Sequence, residues 1–247
     1  KDSDLLVTTH GDTPALTKVG AVNEGAVSYR LGLPGIPAIS QEIALDRDMR
    51  VAQHTGARLH LQQISTANGV KSIASAKENG TNVTCEVSPY HLLLTEEDVE
   101  DYNTHFKLNP PLRRQSDCDA LVQGLIDGTI DAIASNHAPH TEFEKSSDFA
   151  SAPFGVSGLE TTVLAIFDQF ISRGVFGWDL FIRKYSADPR RIVKLEPVKI
   201  ATGEKAQFFV FDPNATTTIS RDYLKTKSPV SPFLGKTLKG EIRETVV

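Results

Sequence analysis

Strand-type and helix-type segments alternate along this chain, and that alternation narrows its possible folds more than any other feature. Strand-type runs at 5–9, 58–65, 81–88 and 129–135 alternate with helical patterns near 40–55, 67–79, 96–102, 117–127 and 158–172. Parallel βα units follow from that rhythm. The last strand leads into Ile133-Ala134-Ser135-Asn136-His137-Ala138-Pro139-His140. From Thr129 to Ala134 the only charge is Asp131, as suits a strand covered on both faces, and Asn136, His137 and His140 fall just past its carboxyl end. Functional residues collect at that end of a barrel. The expected fold class is therefore α/β, of TIM-barrel type. Only four barrel-type strands are legible, against roughly eight in a closed barrel, so open sheet edges and an uncovered apolar face are expected.

Other local patterns refine this outline. In 158–172, Leu159, Val163, Ile166, Phe167 and Phe170 form one apolar stripe, and Ser157 with Glu160 has the spacing of a capping box. The stretch from Thr141 to Gly155 carries Glu142, Glu144, Lys145 and Asp148 around few apolar residues. It reads equally as a mobile lid over the site or as a plain surface excursion. After Lys194 the pattern changes to short strands at 207–211 and 241–247, broken by Pro, Asn and Thr. The expected division is a barrel part over 1–194 and a small β-rich segment with the tail over 195–247.

A formal charge of −5 without a long Lys/Arg run argues against nucleic acid or a membrane surface as partner. A small molecule or another protein is expected instead. No stretch approaches the ~18 consecutive apolar residues of a membrane span, and Lys1-Asp2-Ser3-Asp4 lacks the apolar core of a signal peptide. Cys85 and Cys118 make no disulfide framework and read as reduced and structural. Together these features predict a cytoplasmic protein.

Several motifs appear in a specific order. His10 follows the first strand; Arg58-Leu59-His60 precedes Ile64-Ser65-Thr66; then come Glu86-Val87-Ser88-Pro89-Tyr90-His91-Leu92 and Lys107-Leu108-Asn109-Pro110-Pro111-Leu112-Arg113. Asn136 to His140, Pro153-Phe154-Gly155, Gly158-Leu159-Glu160 and Ser231-Pro232-Phe233-Leu234-Gly235 complete the set. This series resembles the dihydroorotase family (type I) of metal-dependent cyclic amidohydrolases, and the resemblance runs through nearly the whole chain. It implies zinc and the interconversion of N-carbamoyl-aspartate and dihydroorotate in de novo pyrimidine biosynthesis. Relatives carry an early strand ending in His-x-His, and none of the seven histidines here forms that pair. The chain is accordingly expected to be the second half of the barrel, its tail joining a small β-sandwich.

By the same resemblance, His10 matches a metal ligand, while Gln63 and Asn136 stand where relatives usually have a ligand histidine and a metal-binding, proton-shuttling aspartate. An amide oxygen is a poor substitute for imidazole on zinc. Asn has no carboxylate to accept a proton, a service worth about 10²–10⁴-fold in rate. Asn109 matches a substrate-contacting asparagine, and His140 a histidine that helps hold the substrate carboxylate. His60 reads as a packing residue, and Tyr90 and His91 as structural. Three functions remain in view: a dihydroorotase with impaired activity, a non-catalytic dihydroorotase-like scaffold partnering aspartate transcarbamoylase, and a hydantoinase- or allantoinase-like cyclic amidase. A homo-oligomer is expected in each.

Overall fold

The computed structural model describes residues 5–99 and 101–247, so the expectation for Lys1 to Asp4 lies outside the described residues. Eight strands occur in chain order: β1 (Leu6–His10), β2 (Val22–Asn23), β3 (Gly35–Ile36), β4 (Arg58–Gln62), β5 (Val83–Val87), β6 (Ala132–Ile133), β7 (Phe208–Thr218) and β8 (Thr237–Val246). Four of them form one parallel sheet in the order β1-β4-β5-β6. β2 and β3 make a separate parallel pair, and β7 and β8 an antiparallel hairpin. The α/β expectation holds, with an arc of barrel strands in place of a closed ring. No helix among the described residues is long and apolar enough to cross a membrane.

Side chains alternate across the arc because successive strand residues point to opposite faces. Leu59 pairs with Val83, Leu61 with Cys85, and Val87 with Ile133. This face is buried under three long helices, α1 (Ile39–Thr55), α2 (Ala67–Glu78) and α3 (Gln115–Asp127), through Leu45, Met49, Ile73, Leu121 and Leu125. The opposite face is polar: Thr8, His60 and Thr84 share one row, His10 and Gln62 pair in the next toward the carboxyl ends, and Glu86 follows Thr84 on the same face of β5. Local chemistry sets the helix ends. The Thr66 hydroxyl accepts from Gly69 N at 3.0 Å to cap α2, while Gly56 and Gly128, at φ +66° and +94°, terminate α1 and α3 in the left-handed conformation. Asp131, the one charge in the last strand region, is paired with Lys77 of α2 at 2.6 Å.

Three expectations need correction. The strand over 129–135 shrinks to Ala132–Ile133. Ile130 N turns back to Gly124 O, and beyond Ala134 the chain leaves the sheet through Asn136 at φ +48°. The helix over 158–172 starts at Thr162 and widens into a π-type turn over Phe167–Ile171. No capping box forms there, because both side chains are recruited elsewhere. The Ser157 hydroxyl donates to Ser228 O, and the Glu160 carboxylate accepts the backbone N–H groups of Lys225 and Thr226. Four members of the stripe are buried, but Leu159 is 59% exposed. The short helix at 96–102 is a single 3₁₀ turn over Glu96–Asp98, and Glu100 lies outside the described residues.

The carboxyl-terminal hairpin packs back on the α/β part. Phe211 meets Phe167 at 4.7 Å and Trp178 at 5.0 Å between ring centroids, while Ile219, Leu224, Phe233 and Leu238 share a core with Tyr90, Leu112 and Leu164. Leu5 and Val7 at β1, and Ile39, Ile43 and Val51 on α1, are left exposed. Such a strip is what an interrupted barrel presents at its flank.

Candidate functional site at the carboxyl ends of the strands

His10 ends β1 and is exposed. Gln63 follows β4 and Asn136 lies beyond β6, so the three positions expected from the resemblance to hold metal ligands emerge at the same end of the sheet. Gln63 and Asn136 both have positive φ, +54° and +48°, among only five non-glycine residues described with that conformation. Asn tolerates it through local hydrogen bonding, whereas for Gln it is strained, and such strain concentrates at functional positions.

The Gln63 side chain, 8% exposed, is turned onto the polar face of the sheet. Its Nε2 donates to Glu86 Oε1 at 3.2 Å. The other carboxylate oxygen of Glu86 accepts from His60 Nε2 at 3.1 Å, and His60 Nδ1 lies 2.8 Å from the Thr84 hydroxyl. A continuous chain of polar contacts, Gln63–Glu86–His60–Thr84, thus links β4 and the residue after it to β5. Among the described residues Gln63 Oε1 is buried without a hydrogen-bond partner. Nothing beyond its motif singles out Glu86 in the sequence. Its period-two alternation with Thr84, which pairs with His60, is the signal that places it on the polar face.

A second buried network holds this corner from behind. Gln41 Nε2 donates to Gln63 O at 3.0 Å, and Gln41 Oε1 accepts from Ser65 N at 2.9 Å. Arg113, 2% exposed, donates to Ser65 Oγ at 3.2 Å, Asn23 Oδ1 at 2.6 Å and Ile36 O at 2.9 Å. Burial pushes its guanidinium down to about 10. Asn23 in turn donates to Glu96. The strained end of β4 is thereby tied to β2, β3 and the segment that carries Asn109.

The substrate-side positions lie on loops. Asn109 is exposed between buried Leu108 and Pro110. His140 is half-buried, its Nδ1 3.9 Å from Glu144 Oε2, and its carbonyl accepts from the Ser228 hydroxyl. His137 Nδ1 accepts from Gly158 N at 3.2 Å. Gly158 is sterically required: a Cβ there would sit 2.3 Å from Ser135 O.

His91 is structural as expected, its ring bonded to Ser88 Oγ at 2.7 Å and Pro110 O at 2.9 Å. Burial pushes it down to about 4 from 6.5. Between those pH values the unfolded chain binds a proton that the folded one refuses, so stability falls as pH drops through this window. The expected total is on the order of 3 kcal/mol. Urea midpoints at pH 7 and pH 5 check this, with a shallower pH slope expected for His91→Asn; equal slopes would contradict it.

The residues present do not fit a zinc ion. Among the described residues no group of three or more His, Cys, Asp or Glu is placed to hold a metal. The donor set consists of one imidazole and two amides; Gln63 is held to Glu86 through its nitrogen, which leaves only a neutral carbonyl oxygen as donor. Zinc favours imidazole, thiolate and carboxylate donors.

No family model matches the chain. The dihydroorotase of Carboxydothermus hydrogenoformans is 42% identical over 238 residues, 96% of this chain and 55% of the relative. That of Leifsonia xyli subsp. xyli is 41% identical over 247 residues, 99% and 56% respectively. The chain spans about half the length of the curated relatives it matches. Among solved structures, dihydropyrimidinase from Brevibacillus agri superposes with a TM-score of 0.86 at 24% identity, over 100% of this chain and 56% of that one. L-Hydantoinase from Arthrobacter aurescens gives 0.81 at 23%, over 99% and 57%. By sequence the chain is homologous to dihydroorotases over about half of their length, and it has a fold shared with the hydantoinases and dihydropyrimidinases.

Proposed function

We propose that this chain is part of a dihydroorotase-type protein of pyrimidine biosynthesis in which metal-dependent ring chemistry has been lost and the barrel is kept as a cytoplasmic scaffold for aspartate transcarbamoylase. The observation that carries this reading is the Gln63 side chain, buried and bonded to Glu86 where a ligand imidazole would stand. Opening or closing a cyclic amide needs an activated water and a polarised carbonyl, which zinc supplies when bound. Asn136 accepts no proton from that water, and His10 alone does not hold the ion. Asn109 and His140 keep the side-chain types that would contact N-carbamoyl-aspartate or dihydroorotate, so ligand binding outlasts turnover in this account. A homo-oligomer suits a scaffold.

The retained His10, Asn109 and His140 favour a second reading, a working dihydroorotase whose remaining ligands and proton acceptor come from residues outside this chain. The structural neighbours named hydantoinase put related cyclic amides in the same assay. The test is the complete protein supplied with zinc and offered dihydroorotate, N-carbamoyl-aspartate and a panel of hydantoins, with sedimentation beside aspartate transcarbamoylase. No turnover with co-sedimentation is expected. Turnover of any of these, or separate migration, sinks the scaffold reading.

A further inference from the structure

Two buried lysines, Lys145 within the loop that follows His140 and Lys107 just before Asn109, direct their ammonium groups into that loop. Lys107, 2% exposed, directs Nζ to Phe149 O at 2.7 Å and Ala150 O at 2.8 Å, with the Phe154 ring centroid 4.6 Å away. Lys145, 3% exposed, directs Nζ to Pro153 O at 2.8 Å and Gly155 O at 3.0 Å. Backbone carbonyls hold both ammonium groups. Burying a charge this way is costly unless its hydrogen bonds are met by fixed partners. Burial and the neighbouring Lys107 charge together push Lys145 down to about 8.

The bonds around this pair reach both substrate-side segments. Gly155 N donates to Lys107 O at 2.9 Å, two residues before Asn109. Ala138 N donates to Val156 O at 2.9 Å, and His137 bridges Val156 in parallel, just before His140. Thr104 Oγ1 donates to Lys145 O, tying the loop's one-turn helix (Glu142–Lys145) to the Asn109 side. The stretch from 141 to 155 is therefore pinned between the two segments.

We infer that Lys107 and Lys145 are positioning residues, an ammonium pair that folds the 141–155 stretch into a brace holding the Asn109 and His140 segments in fixed relation. The brace follows from geometry alone; its consequence for ligand rests on the reading of Asn109 and His140 given above. Neither residue need touch the ligand.

The test is hydrogen exchange on the complete protein, wild type beside Lys145→Met and Lys107→Met, paired with calorimetric titration of dihydroorotate. The amides of Ala138 and Lys107 are expected to exchange at least about ten-fold faster in each variant, with those of Leu61 and Cys85 unchanged. Where wild type binds dihydroorotate, affinity falls with them. Faster exchange confined to 141–155, with Ala138 and Lys107 protected as in wild type, overturns the brace. Absence of dihydroorotate binding by wild type overturns the ligand reading alone, since exchange decides the brace independently. If a Met variant fails to fold, Lys145→Gln, which keeps two donors without the charge, is read by the same amides and the same criterion.

Discussion

Replacing Gln63 with His and Asn136 with Asp in the complete protein is expected to raise zinc affinity by at least about 100-fold, measured by chelator competition. Loss of an outer partner of a metal ligand already costs about 10–100-fold, and here two inner positions regain an imidazole and a carboxylate. The left-handed backbone at both positions is in place to present the new side chains at the same end of the sheet as His10. Removing the Gln63 amide also frees one oxygen of Glu86, which keeps His60 as its partner. Each single replacement should recover less than the pair, because each leaves one amide in the donor set. If the double variant binds zinc no better than wild type, the two amides are not what separates this chain from a metal protein, and the scaffold reading loses its physical basis.

Arg113→Met is expected to destabilise the protein by on the order of 3–5 kcal/mol in chemical denaturation. The guanidinium is fully enclosed and serves Asn23, Ile36 and Ser65 together. A methionine of similar length would leave their oxygens without a donor, at roughly 1–3 kcal/mol for each group left unsatisfied in the interior. The disturbance should spread along Ser65 to Gln41 and Gln63, so hydrogen exchange at Ser65, whose N–H donates to Gln41, is expected to rise with the loss of stability. A change below about 1 kcal/mol would show that other donors replace the guanidinium.

The strands that carry the site were legible because β4 and β5 alternate cleanly, and the motif order pointed to their carboxyl ends. What escaped depends on partners distant in sequence. Ser157 and Glu160 have the spacing of a local cap, yet Ser228, Lys225 and Thr226 capture them from about 65 to 71 residues away. Glu86 looks like one more motif residue until the pairing of β4 with β5 brings it within reach of His60 and Gln63. That Gln63 and Asn136 depart from the family pattern is visible in the sequence. That both sit at positive φ, and that the Gln63 amide is locked to a carboxylate, is not. Lys145 stands among surface charges in the sequence and is buried in the fold, because the carbonyls that receive it belong to a turn with no pattern of its own.

Plasma mass spectrometry of the complete protein, purified without chelators and dialysed against zinc, decides whether a site with His10, Gln63 and Asn136 at its ligand-type positions holds a metal. No stoichiometric zinc is expected. Stoichiometric zinc retained through gel filtration, with dihydroorotate turnover in the same sample, would contradict that expectation and make this chain part of a working enzyme.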